Sequence, residues 1–415
     1  MIQTPINSSY SIISKYIDIK TLFITLFLVL AGLVCVYSAT ISVNPDRFNR
    51  QLIAAAIGLV AMVVVSKIRI KDIKRYSFIF YIIIMVSLLG LFPFGSKGEF
   101  GTQGWYNFWG VSFQPAEFAK VALILAIANY LSVRGNSVDN ISDVGKLSII
   151  FLCPFMLIFL QPDVGTALTL LVLYLGLLYW VGADLYYGFF MLAFLAMFIV
   201  SLTASTTAIL IVGGVSAVVL LFFRKKIYVY ILTMLLIIGV AFVSDDIYNF
   251  LPIHQQNRIN VFLNPETNLQ GIGYNLTQSK LAVGSGGIFG KGFRQGNITQ
   301  YRYVPMQHTD FIYSVPAEEF GFIGSVIIVL GLFYLCYRGI NIAYQSKDIF
   351  CSLVAFGASI IMLFHIIYNI GMVLGLFPVM GIPLPFFSHG GTFLMSNLIY
   401  VGLLMNISGN NYRLD

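Results

Sequence analysis

The sequence predicts an all-α polytopic membrane bundle of about twelve spans, and three observations carry that prediction. Of 415 residues, 58% are hydrophobic and only 10% charged, more apolar side chain than a soluble single-core domain buries. Apolar runs of about 20 residues, enough to cross a ~30 Å hydrocarbon core at ~1.5 Å per residue, recur from Thr21 to the C-terminus. Basic residues gather in short segments between these runs. The formal charge of +7 is thus spread over several segments rather than one stripe, which excludes a nucleic-acid-binding face.

The runs predict helices over 21–40, 51–66, 76–95, 114–133, 147–161, 164–181, 185–202, 207–223, 227–244, 313–336, 350–375 and 391–407. The first follows Lys20 and outlasts the apolar stretch of a signal peptide, so it reads as a retained helix. Lys67, Arg69, Lys71, Lys74 and Arg75 separate the second from the third. Pro115 opens the fourth, where its missing N–H costs nothing. Arg134 and Lys146 stand before the fifth, and Gln161-Pro162-Asp163 breaks the fifth from the sixth, with Asp163 placed to cap the latter. Arg224, Lys225 and Lys226 precede the ninth, and Arg338 and Lys347 lie between the tenth and eleventh. With both termini in the cytoplasm, all these basic segments fall inside, as the positive-inside rule requires. Residues 41–50, 96–113 and 244–312 then lie outside. The last is too long for a simple connection, and its aromatic and apolar residues predict a partly packed structure on the membrane. The whole of 1–415 reads as one integral membrane domain without internal repeats, which gives no support to an inverted-repeat transporter.

Ionisable groups inside apolar helices are costly and mark functional candidates. Glu117 and Lys120 sit at i,i+3 on one helical face and neutralise each other, either as a packing device or in a substrate cavity. His308-Thr309-Asp310-Phe311 lies where the long outer segment re-enters the bilayer, followed by Glu318 and Glu319. A partly desolvated carboxylate there is expected to titrate above the ~3.9 of free Asp and to act as a base near neutral pH; the alternative for Asp310 is a helix N-cap. The glycine-rich segment Gly284–Gly292 lacks the spacing of a nucleotide loop, yet its backbone amides beside Lys291 suit a lipid-linked phosphate. Arg258, Lys280, Lys291, Arg294 and Arg302 give the outer segment a positive character against the inside bias, which points to anionic headgroups or an anionic substrate. Trp105 and Trp109 stand in the second outer segment, the latter as an interfacial aromatic. Cys35, Cys153, Cys336 and Cys351 form neither a disulfide framework nor a zinc site and read as packing residues; the four histidines lack metal-ligand spacing.

These motifs resemble the SEDS family of shape, elongation, division and sporulation proteins over nearly the whole chain, the RodA branch more than the FtsW branch. The resemblance rests on Gln114-Pro115-Ala116-Glu117 with Lys120, on Gln161-Pro162-Asp163-Val164-Gly165-Thr166, and on Gln278-Ser279-Lys280 running to Gly290-Lys291-Gly292. It continues through His308-Thr309-Asp310-Phe311 and Ala317-Glu318-Glu319-Phe320-Gly321 to Asn369-Ile370-Gly371-Met372, Gly375-Leu376-Phe377-Pro378 and Gly381-Ile382-Pro383-Leu384-Pro385-Phe386. It implies an inverting peptidoglycan glycosyltransferase of the bacterial inner membrane that polymerises lipid II on the outer face for elongation and cell shape. Asp310 matches the family's catalytic Asp, a general base. Arg258, Lys280, Lys291, Glu117, Lys120, Trp105, His308 and Glu319 are the substrate-contact candidates, with a divalent cation (Mg or Mn) as a cofactor candidate. A class B penicillin-binding protein and the elongation or division complex are the implied partners.

The chain departs from the family pattern at Gly104, where Arg is usual, at Ala116 for Ser, and at Met306 for Glu. Family members usually have ten spans, and this chain holds two more between about Thr203 and Val243. A division polymerase shares the same motifs. A lipid II flippase shares the need for a polar cavity but has no use for an external base.

Overall fold

The computed structural model describes residues 18–41, 44–96, 104–108, 111–133, 138, 140–201, 206–223, 227–250, 253–263, 271–301 and 303–411. They fall into two compact units, Met1–Leu177 with Tyr274–Asp415, and Leu178–Gly273.

The first unit begins with α1 (Ile19–Thr40), whose N-cap Asp18 accepts from Thr21 N (3.2 Å) and Thr21 Oγ1 (2.8 Å). Asn44 caps α2 (Pro45–Lys67), and α3 (Ile70–Phe94) follows. A two-stranded antiparallel hairpin, β1 (Tyr106–Phe108) and β2 (Val111–Phe113), then leads into α4 (Pro115–Leu131), α5 (Ile141–Phe159) and α6 (Val164–Trp180). The second unit holds α7 (Leu185–Ser201), α8 (Thr206–Leu221), α9 (Ile227–Phe250) and α10 (Ile253–Leu263). Its first three helices pack around Tyr186, Met197, Leu220 and Ile237, with Tyr186 Oη and Thr233 Oγ1 2.7 Å apart. The chain re-enters the first unit along α11 (Ile272–Ser285), then α12 (Asn297–Gln300), α13 (Ser314–Glu319), α14 (Gly321–Gln345), α15 (Ile349–Val373) and α16 (Gly391–Asn411).

Helices α1–α9 and α14–α16 occupy the twelve predicted runs, and seven helices are long and apolar enough to cross a membrane by length and composition. In the first unit the burial pattern separates inner from outer helices. Along α4, Ala119, Ala122, Leu123, Ile124, Ala126, Ile127 and Ala128 are fully buried; a helix apolar all round belongs inside. By contrast α1, α2 and α3 expose Phe23, Leu30, Val60, Ile82 and Val86, side chains suited to hydrocarbon. Small residues let backbones close up: a side chain at Gly402 of α16 would strike the backbone of Met62 on α2.

Four expectations need correction. Hydropathy placed the starts of α2 and α3 too late, because their first turns are polar but helical, beginning at Pro45 behind the Asn44 cap and at Ile70. The predicted 313–336 run is two helices, broken at Gly321, whose φ of +64° no ordinary side chain adopts cheaply. The 96–113 segment adds strands to a chain read as all helical. Cys153 is exposed rather than packed, although the other three cysteines are buried.

Side-chain networks mark the two ends of the first unit. At one end Arg338 Nη2 reaches Asp18 Oδ2 (2.6 Å), Asn406 Nδ2 donates to the carbonyls of Val65 and Ile68, and Asn129 Nδ2 donates to Lys74 O. At the other end the starts of α2, α4 and α16 meet the turns preceding α13 and α16.

Candidate active site

Asp310 lies at this second end, half-buried in the run of turns before α13. The N-cap position of α13 is Tyr313, so Asp310 is not its cap. Its neighbourhood is fixed by backbone satisfaction, since every buried carbonyl requires a donor. His308 O accepts from His389 N (2.8 Å), Thr309 O from Ser388 Oγ (2.7 Å), and Asp310 O from Asn369 Nδ2 (2.7 Å). On the other side of the turn, Arg47 Nη1 stands 2.8 Å from His308 Nε2. Arginine only donates, so Nε2 is the acceptor and the proton of this neutral imidazole sits on Nδ1. Burial and the nearby Arg47 and His389 push the His308 pKa down to about 4, which keeps it in that state. The Arg47 guanidinium has five N–H donors and, among the described residues, this one acceptor.

Glu318 is fully buried and organises the glycine-rich turn. Its carboxylate accepts from Lys291 Nζ (2.8 Å), Ile298 N (3.0 Å) and Thr299 N (2.8 Å). Burial pulls its pKa up, but the ammonium and the two amides outweigh that and hold it below the ordinary carboxylate value. Lys291 N and Gly292 N donate to the carbonyls of Glu318 and Glu319, both at 3.0 Å. Those amides, expected to face a phosphate, are therefore taken by the chain's own carbonyls. Gly286 and Gly290 allow this approach, because a Cβ at either would collide with the backbone of 317–320. Glu319 accepts from Ser38 Oγ and from Gln300 Nε2 (3.0 Å), and burial raises its pKa.

The other candidates are dispersed. Lys280 is exposed on α11, its tip beside the left-handed Gly375 that ends α15, whose last carbonyls are already taken by backbone amides and by Ser279 Oγ. Trp105 is half-buried and its carbonyl accepts from Ser96 N at the base of the hairpin. Arg258 is on α10 in the second unit, whereas Asp310 is in the first. Glu117 and Lys120 form an ion pair (2.8 Å) inside the helix bundle, with Ser396 Oγ 3.1 Å from Glu117 and the Phe393 ring beside Lys120. Asp163 does cap α6, accepting from Thr166 N (3.0 Å) and Thr166 Oγ1 (2.9 Å). Trp109, Arg134, Arg224, Lys225, Lys226 and Arg302 lie outside the described residues. Sequence reasoning missed Arg47, Ser388 and His389; only Arg47 carried a signal, a cation on the side the inside bias leaves poor in them.

Fold and site together define a multi-pass helical membrane protein with its polar machinery at one end of the bundle, around an aspartate. The chain belongs to the FtsW/RodA/SpoVE family of cell cycle proteins, whose pattern matches residues 19–413. This is the family the motifs resemble. Relatives include the peptidoglycan glycosyltransferase MrdB of Escherichia coli K12 (29% identical over 392 residues, 94% of this chain and 93% of the relative). The peptidoglycan glycosyltransferase RodA of Treponema pallidum is 31% identical (94% and 97%), and a probable peptidoglycan glycosyltransferase FtsW of Trichlorobacter lovleyi is 32% identical (94% and 93%). The fold matches a chain of a solved peptidoglycan synthase complex that coordinates polymerization and crosslinking, with TM-score 0.72 at 23% identity over 96% of this chain and 99% of that one. It also matches the crystal structure of Thermus thermophilus RodA, with TM-score 0.61 at 24% identity over 95% and 98%.

Proposed function

We propose that this chain polymerises lipid II into glycan strands with Asp310 as the general base. The chain is a peptidoglycan glycosyltransferase of its family. The observation that carries the catalytic assignment is Asp310 itself, a half-buried carboxylate on a turn anchored through three consecutive carbonyls. Glycosyl transfer to a sugar hydroxyl needs that hydroxyl's proton removed as it attacks, and one positioned carboxylate suffices. Diphosphate leaves readily and needs its charge met rather than a strong acid. A single displacement inverts the donor anomer, so neither a nucleophile nor a second carboxylate is required. Arg47, bound to His308 two residues before Asp310, is the cation best placed for that charge; Lys280 and Arg258 are the further candidates.

Among the described residues no three His, Cys, Asp or Glu side chains gather as a metal cage. No step here is routed through a divalent cation, and one held by a single carboxylate and the substrate's own diphosphate stays a proposal that the assay below varies. The basic residues Lys67, Arg69, Lys71, Lys74, Arg338 and Lys347 adjoin the end of the bundle opposite Asp310, which supports a cytoplasmic assignment for that end, and for both termini, in the bacterial inner membrane. Asp310 then faces outward. We assign the chain to elongation rather than division, with a class B penicillin-binding protein as partner; rescue of an elongation-depleted rather than a division-depleted strain tests this.

The direct experiment is polymerisation of purified lipid II by the solubilised protein, wild type beside Asp310→Ala, with the partner transpeptidase and with divalent cation varied. Glycan strands from the wild type and none from the variant are expected. Equal activity removes Asp310 from the chemistry, and an inactive but folded wild type moves lipid transport ahead of polymerisation.

A further inference from the structure

The turn that carries Asp310 is held from one side by residues the glycosyl-transfer chemistry does not itself use. Ser388 Oγ donates to Thr309 O (2.7 Å) and accepts from Leu384 N (2.8 Å), so one hydroxyl ties two segments 79 residues apart. Asn369 Nδ2 donates to both Asp310 O (2.7 Å) and Ile382 O (2.8 Å). The reversed amide would set its oxygen against two carbonyls, so the orientation is determined. Both side chains are sealed, at 1% and 0% exposure, and Asn369 Oδ1 is buried without a partner among the described residues. With its acceptor unsatisfied, what Asn369 contributes at this position is the pair of bonds its amide donates. Gln51 of α2 holds the same segment from behind, donating to Ser388 O (3.3 Å) and accepting from Gly390 N (3.0 Å).

Both sides of this junction carry a non-glycine residue in the left-handed region, Met306 (φ +55°) before Asp310 and Phe386 (φ +66°) before Ser388. Such conformations cost free energy and persist only where surrounding bonds overdetermine them. We propose that Ser388 and Asn369 are positioning residues that fix the Asp310 backbone and thereby aim its carboxylate at the acceptor hydroxyl. The proposal rests on the reading of Asp310 as base. A base displaced by about 1 Å loses on the order of a hundredfold in rate, although nothing that touches substrate has been removed.

The test uses the full chain with its partner, comparing Ser388→Ala, Ser388→Thr, Asn369→Ala and Asp310→Ala for kcat and KM with lipid II, for thermal midpoint, and for amide exchange over 306–313. Expected are a fall of at least tenfold in kcat for the two alanine variants at Ser388 and Asn369, with KM within about threefold, and recovery in Ser388→Thr, which restores the hydroxyl. Amide exchange over 306–313 should quicken tenfold while α14 is unchanged. If Asp310→Ala is inactive but both clamp variants keep kcat within twofold, or lose rate only through KM, the positioning role is overturned and the base survives. Failure of Ser388→Thr to recover, or variants that do not fold, likewise overturns it. If Asp310→Ala is fully active, the base reading fails by itself, and the exchange measurement still decides whether the clamp holds the turn.

Discussion

Replacing Lys120 by methionine removes one half of an ion pair closed off from solvent, with side chains only 1% and 4% exposed and 2.8 Å apart. Among the described residues the Glu117 carboxylate would keep a single donor, Ser396 Oγ at 3.1 Å, and lose its counter-charge. Leaving one charge of a buried pair uncompensated costs about 3–5 kcal/mol, whereas replacing both by apolar groups of similar volume is close to neutral. With unfolding entropy scaling by chain length, Lys120→Met should lower the thermal midpoint by on the order of 5 °C, and Glu117→Leu with Lys120→Met should recover most of that. Thermal unfolding of the purified chain in detergent reads both. A double variant as unstable as the single one, or a single variant within 1 °C of wild type, refutes the reasoning. The same double variant also separates the two roles open to this pair: if it is stable and polymerises lipid II, the pair serves packing, and if it is stable but inactive, the pair serves substrate.

His308 accepts from Arg47 and is held near a pKa of about 4, so its contribution to stability is complete above its ordinary 6.5 and shrinks as the pH falls toward 4. Polymerisation should therefore show no His308 inflection between about pH 6 and 8, and an inflection abolished by His308→Gln would refute the assigned proton state. Glu318, with its pKa lowered, supports its turn fully above about 4.5 and less as the pH drops through the lowered value. Exchange protection of the Ile298 and Thr299 amides, corrected for intrinsic rates, should fall about tenfold in Glu318→Gln at pH 7; unchanged protection counts against the clamp. Gly286→Ala should reduce folded yield, because the added methyl meets the Ala317 carbonyl, which is backbone and cannot step aside.

The spans were legible because twenty-residue apolar runs and their basic punctuation report membrane partition directly, one residue at a time. Asp310 and the Glu117–Lys120 pair stood out as candidates for the same reason, as charges where charge is costly. Helix starts such as Pro45 were not, since a polar first turn outside the hydrocarbon has no hydropathic signature. The expectation that the Lys291 and Gly292 amides face a phosphate failed because what takes them, the backbone of Glu318 and Glu319, approaches only through tertiary packing. Ser388 was silent for a related cause: a serine's significance lies in which carbonyl it finds, here Thr309, and spacing in sequence does not encode that.

The dependence of the Asp310 turn on residues 369–390 has a temporal side. Synthesis proceeds from the N-terminus, so the aspartate emerges before Asn369 and Ser388, and α2, whose Gln51 braces the same segment, is made long before α16. A chain stalled between these points carries Asp310 on an unbraced turn. Under the proposed mechanism, competence waits for residues 369–390 rather than for Asp310 itself, and a chain cut short of them holds its base without its brace.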